Sequence, residues 1–273
     1  FYVANTDGVV RYPYKDGETQ ITEPGKKILD IPVGHHWTRN LIASEDGKKI
    51  YVTVGSGSNI GDKGMEIEKR RADILEINPD GSGEMRDAAG LCKPNGMGWN
   101  PVTHKLWAVV QERDQLGDDL VPDYMTSVTA GAFYGWPWSY WGKHVDARVQ
   151  PQNPAKVAIA IAPDYALGAH VAVLGFTFYT ANAFPARYQG GAFIGEHGSW
   201  NRAQMTGYKV VFVPFQNGKP NGLPQDFLTG FLKGDGSDAA YGRPVGVTVA
   251  KDGALLVADD VGNIVWRVTP AAH

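Results

Sequence analysis

Short strand–turn–strand segments that recur along this chain limit its fold more than any other feature. The first joins residues 39–43 to residues 50–54 through a turn at Asp46-Gly47. Similar segments cover residues 96–110, 173–214 and 245–268. Repeats of about 40–50 residues, each built of short antiparallel strands, are typical of propeller blades. The sequence therefore predicts an all-β fold, a β-propeller of four-stranded antiparallel blades.

The repeats predict four blades, and residues 1–14 add half of another. This half is a hairpin with an Asp7-Gly8 turn signal. A blade with only two strands would expose an edge and an apolar face. We therefore expect one propeller domain over residues 1–273, which either closes through its C-terminal residues or lacks sequence before Phe1. Residues 118–163 break the repeat and are expected to form an aromatic loop between blades.

The composition argues against several other classes of protein. Cys92 is the one cysteine, so an internal disulfide and a thiolate metal cluster are excluded. The net charge of −3 and the absence of long Lys or Arg runs predict no nucleic acid partner. No stretch reaches the roughly 18 consecutive apolar residues of a spanning helix, so no membrane span is predicted. Motifs for nicotinamide and ATP chemistry are absent as well.

Chemistry is expected around residues 34–59. Strand alternation would point His36 and Thr38 to one side and His35, Trp37 and Arg39 to the other. A histidine at this position is either a functional group or an ordinary satisfied polar residue. Both interpretations stay open from these residues alone.

Loops at equivalent repeat positions should gather at one end of a propeller, so their polar residues are the other site candidates. They include Cys92, Lys93, Arg243 and the loops 112–119 and 196–202. The acidic loop 112–119 suits a hard cation such as calcium, and a solvated loop is an equal alternative.

Aromatic residues 134–141 leave two alternatives open as well. Trp136 and Trp138 either pack between blades or form a flat wall for a ring-shaped ligand such as a sugar.

Several motifs, in order along the chain, resemble one known family. They are GHHWTRN at 34–40, GMGWNP at 96–101, YGWP at 134–137, HGSWNR at 197–202 and GRPVG at 242–246. Together they are similar to the sorbosone dehydrogenase branch of the soluble glucose/sorbosone dehydrogenases. Members of that family are six-bladed β-propellers that use pyrroloquinoline quinone (PQQ) and calcium. The resemblance implies that a further N-terminal blade is missing from this sequence.

The resemblance also implies roles for individual residues. His36 matches the general base, which removes the proton of the substrate hydroxyl as hydride passes to the quinone. The residues assigned to cofactor binding are Arg243, Arg202, Asn201, Thr38 and Cys92, and the carbonyls of Asp114 and Gln115 match the calcium ligands. Trp136 or Trp200 is expected to form a wall for the substrate.

One departure from the family pattern concerns catalysis. The family has an Arg-Asn-Pro triplet whose arginine stabilises the reduced quinone, and this chain has Cys92-Lys93-Pro94. Lys93 would have to take the catalytic role of that arginine, although lysine lacks the planar guanidinium group and its paired N–H donors.

The sequence thus predicts a PQQ- and calcium-dependent dehydrogenase that oxidises an aldose or an aldehyde-type sugar and passes electrons to an external acceptor. The resemblance implies a periplasmic or secreted location. Two alternatives stay open, a calcium-dependent sugar lactonase and a propeller that has lost catalysis and serves as a binding module. The His-His-Trp-Thr-Arg stretch argues against the lactonase. Cys92 and the expected absence of the N-terminal blade favour the binding module.

Overall fold

A computed structural model describes residues 1–234 and 239–271, and nearly all of its regular structure is β-strand. The chain divides into two compact units. Unit 1 consists of residues 1–94 and 129–161. Unit 2 consists of residues 95–128 and the described part of 162–273.

The strands are short and follow one another along the chain. The first ten are β1 (Tyr2–Asn5), β2 (Gly8–Arg11), β3 (Lys26–Asp30), β4 (Leu41–Ala43), β5 (Ile50–Val54), β6 (Asp73–Ile77), β7 (Met85–Ala89), β8 (Lys93–Trp99), β9 (Leu106–Gln111) and β10 (Pro122–Ser127). The next elements are β11 (Ser139–Tyr140), β12 (His144–Val145), the helix α1 (Pro154–Ile159), β13 (Tyr165–Ala169), β14 (Val173–Phe178), a 3₁₀ turn (Ala186–Tyr188), β15 (Ala192–Glu196) and β16 (Lys209–Val213). The last six are β17 (Phe215–Gln216), β18 (Lys219–Pro220), β19 (Gln225–Leu228), β20 (Pro244–Val249), β21 (Leu255–Asp259) and β22 (Ile264–Val268).

Among the described residues, five antiparallel sheets have the strand order of propeller blades. Unit 1 contains β1-β2-β3 and β4-β5-β6-β7. Unit 2 contains β8-β9-β10-β13, except for the first two residues of β8, together with β14-β15-β16-β19 and β20-β21-β22. Neighbours in each sheet are consecutive in sequence or separated by one insertion, which is the meander of a blade. The predicted repeats at 39–54, 96–110, 173–214 and 245–268 all fall on these sheets.

Each unit has its own apolar core beneath its sheets. In unit 1, the inward residues of the first two sheets pack together, and Val52 and Val54 are fully buried among them. In unit 2, one cluster surrounds Trp107 and Ile194, and another surrounds Phe193 and Leu255. The alternation of these strands places every second side chain in a core. The helix α1 has six residues, and no helix among residues 1–234 and 239–271 is long and apolar enough to cross a bilayer.

The expectation that residues 118–163 break the repeat is wrong at its N-terminal end. Residues 122–127 form β10, the third strand of its blade, and the insertion starts only after it. Because Thr126 and Ser127 are polar, the sequence does not show this strand as an apolar run. They are compatible with it because both side-chain hydroxyls donate to Asp164, at 3.0 and 2.8 Å.

The half blade predicted for residues 1–14 is also larger than expected. β3 pairs with β2, with Val9 opposite Leu29, so the sheet has three strands. Its position was hidden because Lys26 and Lys27 are exposed and only Leu29 of this strand is fully buried.

Candidate functional site

In unit 1, residues 31–40 form an extended loop between β3 and β4 rather than part of a strand. The buried guanidinium of Arg39 holds this loop by donating to three backbone carbonyls. They belong to Pro32, His36 and Thr38, at 3.0, 2.7 and 2.9 Å. The predicted side-chain alternation is therefore wrong, because Arg39 is buried whereas Trp37, expected on the same side, is 65% exposed.

The loop presents the half-buried imidazole of His36 to the hydroxyl of Ser56. Nδ1 of His36 lies 2.8 Å from Oγ of Ser56, and the same Oγ lies 2.7 Å from the carbonyl oxygen of Ser58. A carbonyl oxygen only accepts, so the single hydroxyl hydrogen of Ser56 points to Ser58. Nδ1 of His36 must then donate to Ser56. In the neutral imidazole the lone pair is left on Nε2, which is the form that a general base requires.

The carboxylate of Glu68 fixes the loop that carries Ser56. Glu68 is 5% exposed, and its two oxygens accept from the Gly57 amide and the Ser58 hydroxyl, each at 2.6 Å. These short, charge-assisted bonds stabilise a backbone segment that would otherwise be buried with unpaired donors.

Close approach at Gly55 brings His36 and Lys93 together. A methyl group on Gly55 would lie 2.7 Å from Cβ of His36 and 3.2 Å from Cγ of Lys93, so glycine is needed here. Cys92 is 1% exposed, and its Sγ lies 3.9 Å from the hydroxyl of Ser56. The predicted residues His36, Cys92 and Lys93 therefore surround one loop of unit 1.

In unit 2, the acidic loop 112–119 is held by cationic and amide side chains. Asn201 donates from Nδ2 to Oδ1 of Asp114 at 2.7 Å. Nδ1 of His170 lies 3.4 Å from the same oxygen, and its Nε2 lies 2.9 Å from the carbonyl of Gly117. Both ring nitrogens face acceptors, which favours the imidazolium. The hydrogen bond with Asp114 raises the pKa of His170 to about 9, so the ring is charged at neutral pH.

Arg202 holds the far end of the same loop. Its Nη1 donates to the carbonyl of Asp118 at 2.9 Å, and its Nη2 donates to Oδ1 of Asp119 at 3.0 Å. Its Nε is buried and has no hydrogen-bond partner among the described residues. The structure thus brings Asp114, Asn201 and Arg202 together.

Arg243 is bound to the loop that precedes Asn201. Its Nε and Nη2 donate to the carbonyls of His197 and Gly198 at 2.8 and 2.5 Å, and its guanidinium lies 4.9 Å from the ring centre of Tyr208. These contacts leave Nη1 without a hydrogen bond to any described residue. Arg243 can therefore still take a carboxylate ligand.

Three carboxyl groups are buried in or next to the acidic loop, those of Glu112, Asp123 and Glu196. Asp123 accepts from the amides of Glu112 and Ala172, at 2.8 and 2.7 Å. Burial raises its pKa to about 7 and the pKa of Glu196 to about 8. Oε1 of Glu112 and Oε2 of Glu196 are buried without hydrogen-bond partners among the described residues. Glu196 is therefore mainly protonated at neutral pH.

The two tryptophans predicted to contact substrate lie in different environments. Trp136, in unit 1, is 2% exposed, and its indole N–H donates to the carbonyl of Asn59 at 2.9 Å. Trp200, in unit 2, is 71% exposed in the loop after β15. Trp200 is thus available for contact with a ligand, whereas Trp136 presents at most one side of its ring to a cavity.

A calcium ion would suit the acidic loop mainly through backbone oxygens. Within the described ranges, no three His, Cys, Asp or Glu side chains form a group that could hold a metal. The Asp114 carboxylate already accepts from Asn201 and faces His170. The backbone at Gln115 is left-handed, with φ of 70°, in an exposed turn. Calcium is commonly bound by carbonyl oxygens of such a turn together with a nearby acidic side chain.

Sequence reasoning missed three residues that shape these arrangements. Ser56 and Glu68 support His36, and His170 neutralises the acidic loop. Ser56 stands in the small-residue stretch 55–59, where a buried serine beside a histidine loop is a usable signal. His170 stands alone in the sequence, and only folding brings it to Asp114.

Comparisons with known proteins agree with this fold. A family model described as TrAA12-like matches residues 146–271. An uncharacterized protein from Borreliella burgdorferi is 32% identical over 235 residues, which cover 85% of this chain and 60% of that protein. The chain thus spans about 60% of the length of this curated relative.

Two solved structures are similar along nearly the whole chain. The calcium structure of a Trichoderma reesei protein of carbohydrate-active enzyme family AA12 has a TM-score of 0.82 at 20% identity, covering 97% of this chain and 76% of that chain. The holo form of the PQQ domain of pyranose dehydrogenase from Coprinopsis cinerea has a TM-score of 0.81 at 20% identity, covering 98% of this chain and 78% of that chain. The likeness confirms the predicted fold class, a β-propeller.

Replacing Ser56 by alanine should weaken the preference of His36 for its Nδ1–H tautomer. One hydrogen bond is worth about 1 kcal/mol, so the ratio of Nδ1–H to Nε2–H forms should fall about 5-fold. Ring ¹⁵N chemical shifts of histidine-labelled protein measure this ratio, and Ser44→Ala, in the turn between β4 and β5, is the control. A predominant Nε2–H form in the unsubstituted protein would contradict the assigned hydrogen-bond direction.

Glu196→Gln should remove a pH-dependent loss of stability. The folded-state pKa of Glu196 lies above its unfolded value. The contribution of Glu196 to the free energy of unfolding is therefore fully present below pH 4.5 and is lost as pH rises through about 8. At pH 9 the variant should have a free energy of unfolding about 2–4 kcal/mol higher than the wild type, with little difference at pH 4. Urea denaturation at both pH values tests this, with exposed Glu23→Gln as control. An equal effect at both pH values would refute the assignment.

Proposed function

We propose that this chain belongs to a sugar oxidoreductase that uses PQQ and calcium and oxidises an aldose or aldehyde-type sugar, of glucose or sorbosone type. The arrangement of His36, Ser56 and Ser58 carries this proposal, since it leaves Nε2 of a half-buried imidazole as a base. The likeness to the PQQ domain of pyranose dehydrogenase and to an AA12 protein supports the choice of reaction class. The sorbosone branch rests on the sequence motifs alone.

His36 accepts the proton of the substrate hydroxyl at Nε2 in this proposal. As Nε2 becomes protonated, the Nδ1–H···Oγ bond to Ser56 strengthens, because the donor is then an imidazolium. The Ser56 hydroxyl cannot rotate to follow, since its own hydrogen is held by the carbonyl of Ser58. A base held in this way typically contributes 10²–10⁴-fold to a rate.

The cofactor would supply a quinone that accepts two electrons, polarised by calcium as a Lewis acid. Within unit 2, Arg243 and Arg202 would bind its carboxylates, with Asn201 beside them. Within unit 1, Lys93 and Cys92 stand where the family has its Arg-Asn pair, and Thr38 lies in the His36 loop. Calcium would take the carbonyls of Asp114 and Gln115.

The substrate would contact the exposed ring of Trp200 or the buried ring of Trp136. Electrons would pass to an external acceptor, and the proposed location is periplasmic or secreted. No nucleic acid or membrane span enters the proposed function.

Replacing His36 by glutamine tests the proposal. Protein loaded with PQQ and calcium should oxidise D-glucose or related aldoses with an artificial electron acceptor, and His36→Gln should lower kcat by about 10²–10⁴-fold. The amount of bound PQQ should stay the same, because His36 acts on the substrate proton. His144→Gln, an exposed histidine of the same unit, is the matched control.

Inactivity of the loaded wild type and of a Cys92→Arg/Lys93→Asn double variant would refute the proposed reaction. Lactone hydrolysis that depends on calcium but not on PQQ would favour the lactonase alternative. Sugar binding without turnover in any variant would favour the binding module.

A further inference from the structure

Unit 1 contains a cavity beside the first residue of β6, Asp73, whose carboxyl group has no role in the proposed reaction. Its volume is about 120 Å³, and it opens to solvent. This is smaller than the roughly 300–1,000 Å³ usual for pockets that hold drug-sized ligands, so it suits at most one small ring that extends into the open mouth. The rings of Phe133, Trp136 and Trp138 form part of its wall, and Asp73 forms another part. The cavity is lined by residues other than His36, Ser56 and Lys93.

Asp73 is the unusual member of this lining. It is 3% exposed, and its carboxyl group makes no hydrogen bond or ion pair with any residue of the described ranges. Arg86 and Lys156 act on it only through longer-range attraction. Glu68, which lines the same cavity, uses both its oxygens on Gly57 and Ser58. A buried carboxyl group without a partner is unfavourable unless water or a ligand in the cavity provides donors.

The aromatic side chains offer ring surface and no further polar group. The indole N–H of Trp136 donates to the carbonyl of Asn59 at 2.9 Å, and that of Trp138 donates to the carbonyl of Pro151 at 3.1 Å. Both rings are therefore fixed by the backbone, with their only donors already used.

The surrounding charges decide which ligand fits. Lys156 already places its ammonium 5.2 Å from the ring centre of Phe133, and Arg71 and Arg86 also line the cavity. A cationic ligand would meet these three positive groups, and an anionic ligand would meet Asp73. A neutral molecule with several hydroxyl donors and a flat apolar face satisfies both the carboxyl group and the indole rings. A monosaccharide has this chemistry.

We propose that this cavity is a second carbohydrate site, in which Asp73 accepts hydroxyl hydrogens of a neutral monosaccharide that packs on Trp138 and Trp136. The site is distinct from the arrangement around His36, because its lining includes none of His36, Ser56 and Lys93. It would hold a sugar whether or not the chain carries PQQ.

Isothermal titration calorimetry of the cofactor-free protein with D-glucose tests this site. Saturable binding is expected, and Asp73→Ala and Trp138→Ala should each weaken it by about 10-fold or more. Asp73→Asn, which retains an accepting oxygen, should keep part of the affinity, and circular dichroism checks the folding of each variant. The exposed Asp16→Asn should bind as the wild type does, and His36→Gln should retain the binding that Asp73→Ala loses.

Three outcomes would overturn the proposal. One is the absence of saturable glucose binding to the wild type. The second is weaker binding in His36→Gln with full binding in Asp73→Ala, which would put the sugar at the oxidation site. The third is tighter binding of tetramethylammonium than of glucose, which would make the cavity a cation site.

Discussion

The buried carboxylate of Glu68 is the interaction on which the arrangement around His36 depends. It accepts from the amide of Gly57 and the hydroxyl of Ser58, and so determines where the Ser58 carbonyl lies. That carbonyl takes the hydroxyl hydrogen of Ser56, and Ser56 then accepts from His36. The protonation pattern of the imidazole thus follows from a carboxylate three hydrogen bonds away. Glu68 also borders the cavity of Asp73, so both candidate sites of unit 1 share this support.

In unit 2, the main electrostatic constraint is the negative charge of an acidic loop. Its loop 112–119 contains several acidic residues, and His170⁺ and Arg202 balance them through contacts with Asp114, Gly117, Asp118 and Asp119. The nearby carboxyl group of Glu196 avoids adding a further charge, because burial keeps it protonated at neutral pH. The loop is therefore ordered without a full set of carboxylate ligands. This is why a calcium ion there would depend on carbonyl oxygens.

The sequence predicted the fold class and most inner strands, because these are apolar runs bounded by turn signals. It missed β3 and β10, whose exposed or polar residues are satisfied by partners distant in sequence, such as Asp164 for Ser127. For the sites, motifs pointed to His36, Lys93, Arg202 and Arg243. For Ser56 the small-residue stretch 55–59 was the one signal, whereas His170 and Asp73 were beyond such reasoning, because their importance comes from hydrogen bonds or burial that only the folded chain creates.

The most direct test of the central claim is a titration of chelator-treated protein with PQQ, with and without calcium. Binding is monitored by the absorbance of the quinone, and an aldose is added afterwards. The account predicts saturable binding that requires calcium, and reduction of the bound quinone when sugar is added. Absence of saturable binding, or binding that is the same in the presence of a chelator, would contradict it.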